Sequence, residues 1–169
     1  SLQWLLAQIG KKVGCEVWIA QQDHEKSWNG DLLGQLSLPS LPQIADATLQ
    51  LGQMDLLWLR KNEVIAAYQI APKQMGVATD LLRLYDLSLA CAKRQPYLCL
   101  VLPQQLLDQV HAELSRPLFQ QQKGRQRWLL IREEDLAGNG EHILRWANHY
   151  GVIEQLAFNP EQEKEPVMK

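Results

Sequence analysis

The stretch MDLLWLRKNEVIAAYQIAPK, Met54 to Lys73, constrains the fold more than any other part of this chain. Apolar residues crowd both sides of Lys61-Asn62-Glu63, which predicts a strand over 53–60, a tight polar turn, and a second strand over 64–71. Pro72 stops the second strand because it has no N–H to give to the ladder. One acid, Asp55, stands near the start of the first strand, flanked by Met54, Leu56, Leu57, Trp58 and Leu59. A carboxylate there is costly to bury without a partner. Two readings stay open for it: a functional group, or a polar residue on a half-exposed hairpin edge. Gln69 and Ala71 stand near the end of the second strand. By strand alternation Lys73 would share their face, although Pro72 disturbs that alternation.

Around the hairpin, helical and extended patterns alternate. Leu2, Leu5, Leu6 and Ile9 recur at helical spacing up to Gly14. Glu16 to Ala20 reads as a short strand, and 21–45, rich in Gly, Pro, Ser, Asn and Asp, as a long irregular loop of the kind that is often functional. Val77, Leu81, Leu84, Leu87 and Leu89 mark a helix over 76–93. PYLCLVLP, 96–103, is a continuous apolar run, the mark of a strand buried on both faces. A helix over 104–114, a strand over Arg127–Arg132 and a short helix over Glu141–Tyr150 follow. The order implies α/β architecture: a mixed sheet with parallel crossovers after an antiparallel hairpin, flanked by helices on both faces. Residues 1–158 read as a single domain and 159–169 as a charged flexible tail.

Composition narrows the classes. The chain has 169 residues, is 46% hydrophobic and carries a net charge of −2, so no global basic field draws it to nucleic acid. No apolar run approaches the roughly 20 residues needed to cross a bilayer. SLQWLLAQIGKK lacks the basic leader and cleavage site of a signal peptide. Cys15, Cys91 and Cys99 have no C-x-x-C spacing and read as buried free thiols of a reducing, cytoplasmic compartment. The chain starts on Ser1, without an initiator Met, which leaves open a domain cut from a longer protein or a cloning remnant.

VWIAQQDHEKSWNG, then MDLLWLRKNEVIAAYQIA, then LLRLYDL together resemble a bacterial branch of the PD-(D/E)XK nuclease superfamily, over about Leu2 to Pro117. The resemblance implies a restriction-endonuclease-like fold and a Mg²⁺ site. Asp55 matches the family's metal-binding Asp, Gln69 stands where a Glu belongs, and Ala71 where a second acid or a Lys belongs. The family's acid near the start of the first helix has no counterpart. Phosphodiester hydrolysis in such sites needs a cation that polarises the phosphate and activates water, and Mg²⁺ is usually held by one or two carboxylates. Asp55 alone supplies one charge, with Lys73 as a partial replacement for the missing amine.

Other candidates are weaker as signals. The four histidines show no metal spacing; His142 and His149, seven apart on one helical face, are too distant to share a metal. Trp4, Trp18, Trp58 and Trp146 occupy core-like positions, whereas Trp28 sits in a polar loop and is a candidate contact residue. Arg83 pairs with Asp86 on the helix surface or, by the resemblance, lies near the old cleft. KGRQR, with Lys123, Arg125 and Arg127, is the basic cluster, read first as a solvated turn and second as a nucleic-acid patch. The reading is a degenerate nuclease-like domain that binds DNA or a protein partner within a larger chain or assembly, with no cofactor. The alternatives are a Mg²⁺-dependent endonuclease using Asp55, Gln69 and Lys73, and a purely architectural interaction domain.

Overall fold

The computed structural model describes residues 1–44, 46–91, 93–121 and 124–158. In chain order the elements are α1 (Leu2–Lys12), β1 (Glu16–Ile19), β2 (Ser27–Trp28), β3 (Asp31–Leu32), α2 (Leu33–Leu36), α3 (Thr48–Leu51), β4 (Leu56–Arg60) and β5 (Glu63–Ile70). There follow α4 (Gly76–Ala90), β6 (Tyr97–Leu102), α5 (Leu107–Leu114), α6 (Pro117–Gln120), β7 (Arg127–Arg132), α7 (Glu133–Trp146), a 3₁₀ turn over Tyr150–Gln155 and β8 (Ala157–Phe158).

Six strands form one mixed sheet in the order β1-β4-β5-β6-β7-β8. β1, β4 and β5 pair antiparallel, β5, β6 and β7 pair parallel, and β8 returns antiparallel to β7. Lys61 (φ 48°) and Asn62 (φ 62°) make the β4–β5 turn with two left-handed residues, the geometry that matches strand twist. Leu56, Trp58, Tyr68, Cys99, Val101 and Ile131 face the side covered by α1 and α7. Leu57, Leu59, Ala67, Leu98, Leu100 and Leu130 face the side covered by α3, α4 and α5. The sheet is therefore buried on both faces, and every residue of β6 is buried, as its unbroken apolar run requires.

α1 lies close on β4. A Cβ added at Gly10 would stand 2.4 Å from Trp58 Nε1, and that indole N–H donates to the Leu6 carbonyl at 2.9 Å. Only a residue without a side chain allows this approach, and it seats the C-terminal half of α1 on the middle of β4.

Several expectations need correction. The helix read as 141–150 begins at Glu133 and ends at Trp146, so His149 lies outside it and caps the following 3₁₀ turn through Nδ1. Gly138 and Gly140 lie inside this helix, and Gly140 sits against Leu5, where a Cβ would meet the leucine methyls at 3.1 Å. That α1–α7 packing outweighs the low propensity. Trp146 is 75% exposed, not in the core. The 21–45 loop holds the β2–β3 ribbon and α2. The 104–114 helix opens with a 3₁₀ turn and becomes α-helical at Leu107. The tail read as flexible, 159–169, lies outside the described residues. Among those described, no helix is long and apolar enough to cross a membrane.

The thiols differ in access. Cys15 and Cys99 are buried, and burial pushes Cys15 up to about 11 and Cys99 higher still. Cys91 is partly exposed, contrary to the sequence reading, although burial raises its thiol too, so access and not acidity sets it apart. The thiolate is the nucleophile, so brief iodoacetamide treatment at pH 8 should add a single adduct, at Cys91, and denaturant should release the other two. Native labelling at Cys15 or Cys99, seen by peptide mass mapping, would contradict this packing.

Candidate functional site

The site forms where β4 begins and β5 ends, at the carboxyl ends of the parallel strands, where open α/β sheets hold ligands. Asp55 precedes β4, and its backbone is bonded on both sides: its N–H donates to the Tyr68 carbonyl at 3.0 Å and its carbonyl accepts from Ala20 N–H at 3.1 Å. This pairing, with the alternation of Leu57 and Leu59, turns the Asp55 side chain to the α4 face. Gln69 lies on the same face between Ala67 and Ala71. Its Nε2 donates to the Gln53 carbonyl at 2.9 Å, which aims Oε1 into the site.

Lys73 reaches this point from beyond Pro72. Its Nζ lies 2.6 Å from Asp55 Oδ2, 2.5 Å from Gln69 Oε1 and 2.9 Å from Asp80 Oδ1. An ammonium has three N–H donors, and here each has an acceptor. Asp55 Oδ2 also accepts the Ile70 N–H at 2.7 Å. Gln69 and Asp80 are fully buried and Asp55 is 8% exposed, while the Lys73 side chain keeps 24% of its surface in solvent.

Asp80 was missed by sequence reasoning. It sits on the buried stripe of α4 with Val77, Leu81 and Leu84. The available signal was its spacing: an acid three residues from Val77 and four from Leu84 falls on the core face, where it needs a partner. Burial raises its carboxyl above the ordinary value, against the pull of the Lys73 hydrogen bond and charge. Its Oδ2 is buried without a hydrogen-bond partner. The second missed residue is Gln3, which α1 presents beside the site, its Nε2 2.8 Å from Asp23 Oδ2 and 3.5 Å from the Asp55 carbonyl. Asp23 in turn pairs with Lys26 at 2.6 Å.

The donor set suits a hard cation in chemistry: two carboxylates and one carboxamide oxygen surround a single point. Among the described residues no three His, Cys, Asp or Glu side chains converge as metal ligands. Ala71, at the position matched to the family's lysine, is 1% exposed and packed in the apolar layer under α4.

The remaining candidates lie apart. Trp28 is 48% exposed on the β2–β3 ribbon, which Trp4 Nε1 anchors through Asp31 Oδ2 at 2.9 Å. That ribbon follows Asp23, at the site end of the sheet. Arg83 is half-buried on α4, one turn beyond Asp80, and its charge acts on that carboxyl. Arg125 is exposed, and Arg127 opens β7 at the opposite end of the sheet from Lys73. Arg127 lies 3.8 Å over the Tyr97 ring and 3.8 Å from Glu154. Arg116 pairs with Glu113 and Arg132 with Asp135. Lys123 lies outside the described residues. The structure thus brings Asp55, Gln69 and Lys73 together and does not bring Arg127 to them.

Comparison with known proteins gives one family match. Residues 1–132, which hold the whole site and the sheet through β7, match the family described as Type II restriction enzyme NmeDI C-terminal domain. No curated protein and no solved structure matches the chain. With more than three-quarters of its length matched, the chain belongs to the Type II restriction enzyme NmeDI C-terminal domain family.

Proposed function

We propose that this is a restriction-endonuclease-like, PD-(D/E)XK-type domain whose cation position is held by its own lysine, and that it serves as a DNA-binding module and not as a nuclease. One observation carries the reading: the Lys73 ammonium spends all three donors on Asp55, Gln69 and Asp80. An amine so engaged has no N–H left for a phosphate oxygen, and its charge already answers the carboxylates that would otherwise attract a divalent ion. DNA is the partner favoured by the restriction-enzyme family match. Trp28, on the ribbon that follows Asp23, and Arg83, one turn from Asp80, are the proposed contacts. Among the described residues Arg127, at the far end, is answered by Glu154, so binding should be moderate and salt-dependent.

A Mg²⁺-dependent endonuclease with a rearranged site is the second reading, favoured by Asp80, which supplies the second carboxylate that the sequence pattern lacks at position 71. Plasmid and oligonucleotide assays separate the two. With Mg²⁺ or Mn²⁺ the purified protein should give no cleavage above background, and fluorescence anisotropy should show duplex binding that weakens in Trp28→Ala. Cleavage that disappears in Asp55→Ala would establish the enzyme instead. Absence of any DNA binding would leave a protein partner.

A further inference from the structure

We propose that the end of the sheet opposite Lys73 carries a site for single-stranded nucleic acid, with an unpaired base in a cavity beside Trp146 and its phosphates on Arg60 and Arg94. The inference goes beyond the reading above, which assigns duplex contacts to Trp28 and Arg83, and it uses neither residue. At this end β4 finishes on Arg60, Glu63 opens β5, and Tyr97 opens β6. α7 stops at Trp146, and the chain passes through His149 into the 3₁₀ turn Tyr150–Gln155.

A cavity of about 490 Å³ opens between the end of α7 and that turn, within the roughly 300–1,000 Å³ of ligand clefts. Ile143, Ala147 and Val152 give it apolar wall, and no Asp, Glu, Lys or Arg lines it. Trp146 borders it with 75% of its surface in solvent. An indole left open to water is a stacking platform, and every base has a face to lay on it. Asn148 and Gln155 bring carboxamides, which both donate and accept, as a base edge requires. His149 Nδ1 accepts the Gly151 N–H at 3.0 Å, so the neutral ring keeps its proton on Nε2 as a further donor.

The charge lies one residue away. The His149 ring packs on Tyr150, centroids 4.0 Å apart, and the Tyr150 hydroxyl accepts from Arg94 Nη2 at 2.8 Å. The Arg60 and Arg94 guanidinium carbons stand 5.9 and 6.0 Å from the centre of the same tyrosine ring. Arg94 also reaches Glu63 at 3.5 Å, with 48% and 57% of the two side chains exposed. A pair so solvated contributes little and exchanges readily for a phosphate. Lys61 and Lys93, next to these arginines in sequence, are exposed as well. An uncharged, aromatic cavity beside two positioned guanidiniums matches a neutral base on an anionic backbone. A duplex keeps its bases stacked inside and offers none to the cavity. An acidic peptide would meet the guanidiniums and leave the indole unused.

The test is fluorescence anisotropy of short labelled oligothymidylate and oligouridylate with the full chain, over a range of salt. The variants are Trp146→Ala, Trp146→Phe, and Arg60→Gln combined with Arg94→Gln, each checked for folding by circular dichroism. Wild type should bind at least one oligomer, their order telling DNA from RNA. Trp146→Ala should weaken binding about tenfold, and Trp146→Phe should recover most of it. The double arginine variant should flatten the slope of log affinity against log salt by about 1.4, for two phosphates at roughly 0.7 each. Failure of wild type to bind either oligomer at low salt, or binding untouched by all three variants, overturns the proposal. So does labelled polyglutamate bound as tightly with the same loss in Trp146→Ala, which would point to an acidic protein. Duplex binding without single-strand binding overturns this site and leaves the reading above; single-strand binding without duplex binding supports it and removes the duplex contacts.

Discussion

Lys73→Met, in the absence of divalent cations, should destabilise the domain by about 3 kcal/mol, the lower end of the loss on breaking a buried ion pair. For a chain of this size that corresponds to roughly 6–12 °C in melting temperature. The reason is what remains: Asp55 and Asp80 facing one point with no cation between them, one of them fully buried. The quarter exposure of the Lys73 side chain keeps the loss from being larger. The pH dependence has a definite sign. Asp80 already has a raised carboxyl value in the fold, and loss of its ammonium partner raises it further. A carboxyl whose folded value is raised contributes stability that is fully present below its unfolded value and lost as pH rises through the folded one. The variant should therefore be hurt more at pH 8 than at pH 5, and adding Asp80→Asn should recover part of the loss. A melt showing Lys73→Met as stable as wild type at pH 8 would mean that the three contacts contribute little.

Ala71→Lys has the second large expected effect, and it bears on the family pattern directly. That pattern would place an amine at this position, yet Ala71 is 1% exposed, packed with Leu57, Ala67, Leu81 and Leu100, and its N–H donates to the Val101 carbonyl at 2.8 Å. An ammonium there displaces apolar contacts and meets no free acid, since Asp55 and Asp80 are engaged by Lys73. The effective penalty of a buried ion is several kcal/mol, so the variant should lose about 4 kcal/mol or fail to accumulate folded. Nor is Gln69→Glu the mild change its shape suggests: Gln69 is fully buried, and a carboxylate would turn an oxygen toward the Gln53 carbonyl that Nε2 now serves. Circular dichroism melts of Ala71→Lys beside wild type decide the point. A well-folded Ala71→Lys with normal stability would show that the position is more open than its packing implies.

How much of this was legible from residues alone follows from where the information lies. The hairpin was, because its apolar runs and polar turn are local; the first strand is shorter than expected, at 56–60, and the second is displaced by one residue, at 63–70. The buried strand at 97–102 and the helix from Gly76 were legible for the same reason. Alternation put Gln69 and Ala71 on one face, and the structure places both on the α4 side. Asp80 was not legible as part of the site, because its partner comes from a loop beyond Pro72 that strand periodicity does not reach. α7 was misread because it contains Gly138 and Gly140, and the packing of Gly140 on Leu5 is set by the other end of the chain. The β2–β3 ribbon escaped notice because two-residue strands carry no period. The site's most consequential feature, one amine shared by three oxygens, exists only in the folded arrangement of a helix, two strands and a loop.

The most direct measurement is a crystal structure of the wild-type protein grown at neutral pH in Mn²⁺, with anomalous differences recorded. The account predicts no anomalous peak among Asp55, Gln69 and Asp80, and the Lys73 amine within hydrogen-bonding distance of all three. A Mn²⁺ peak at that point, with Lys73 turned out toward solvent, would contradict it.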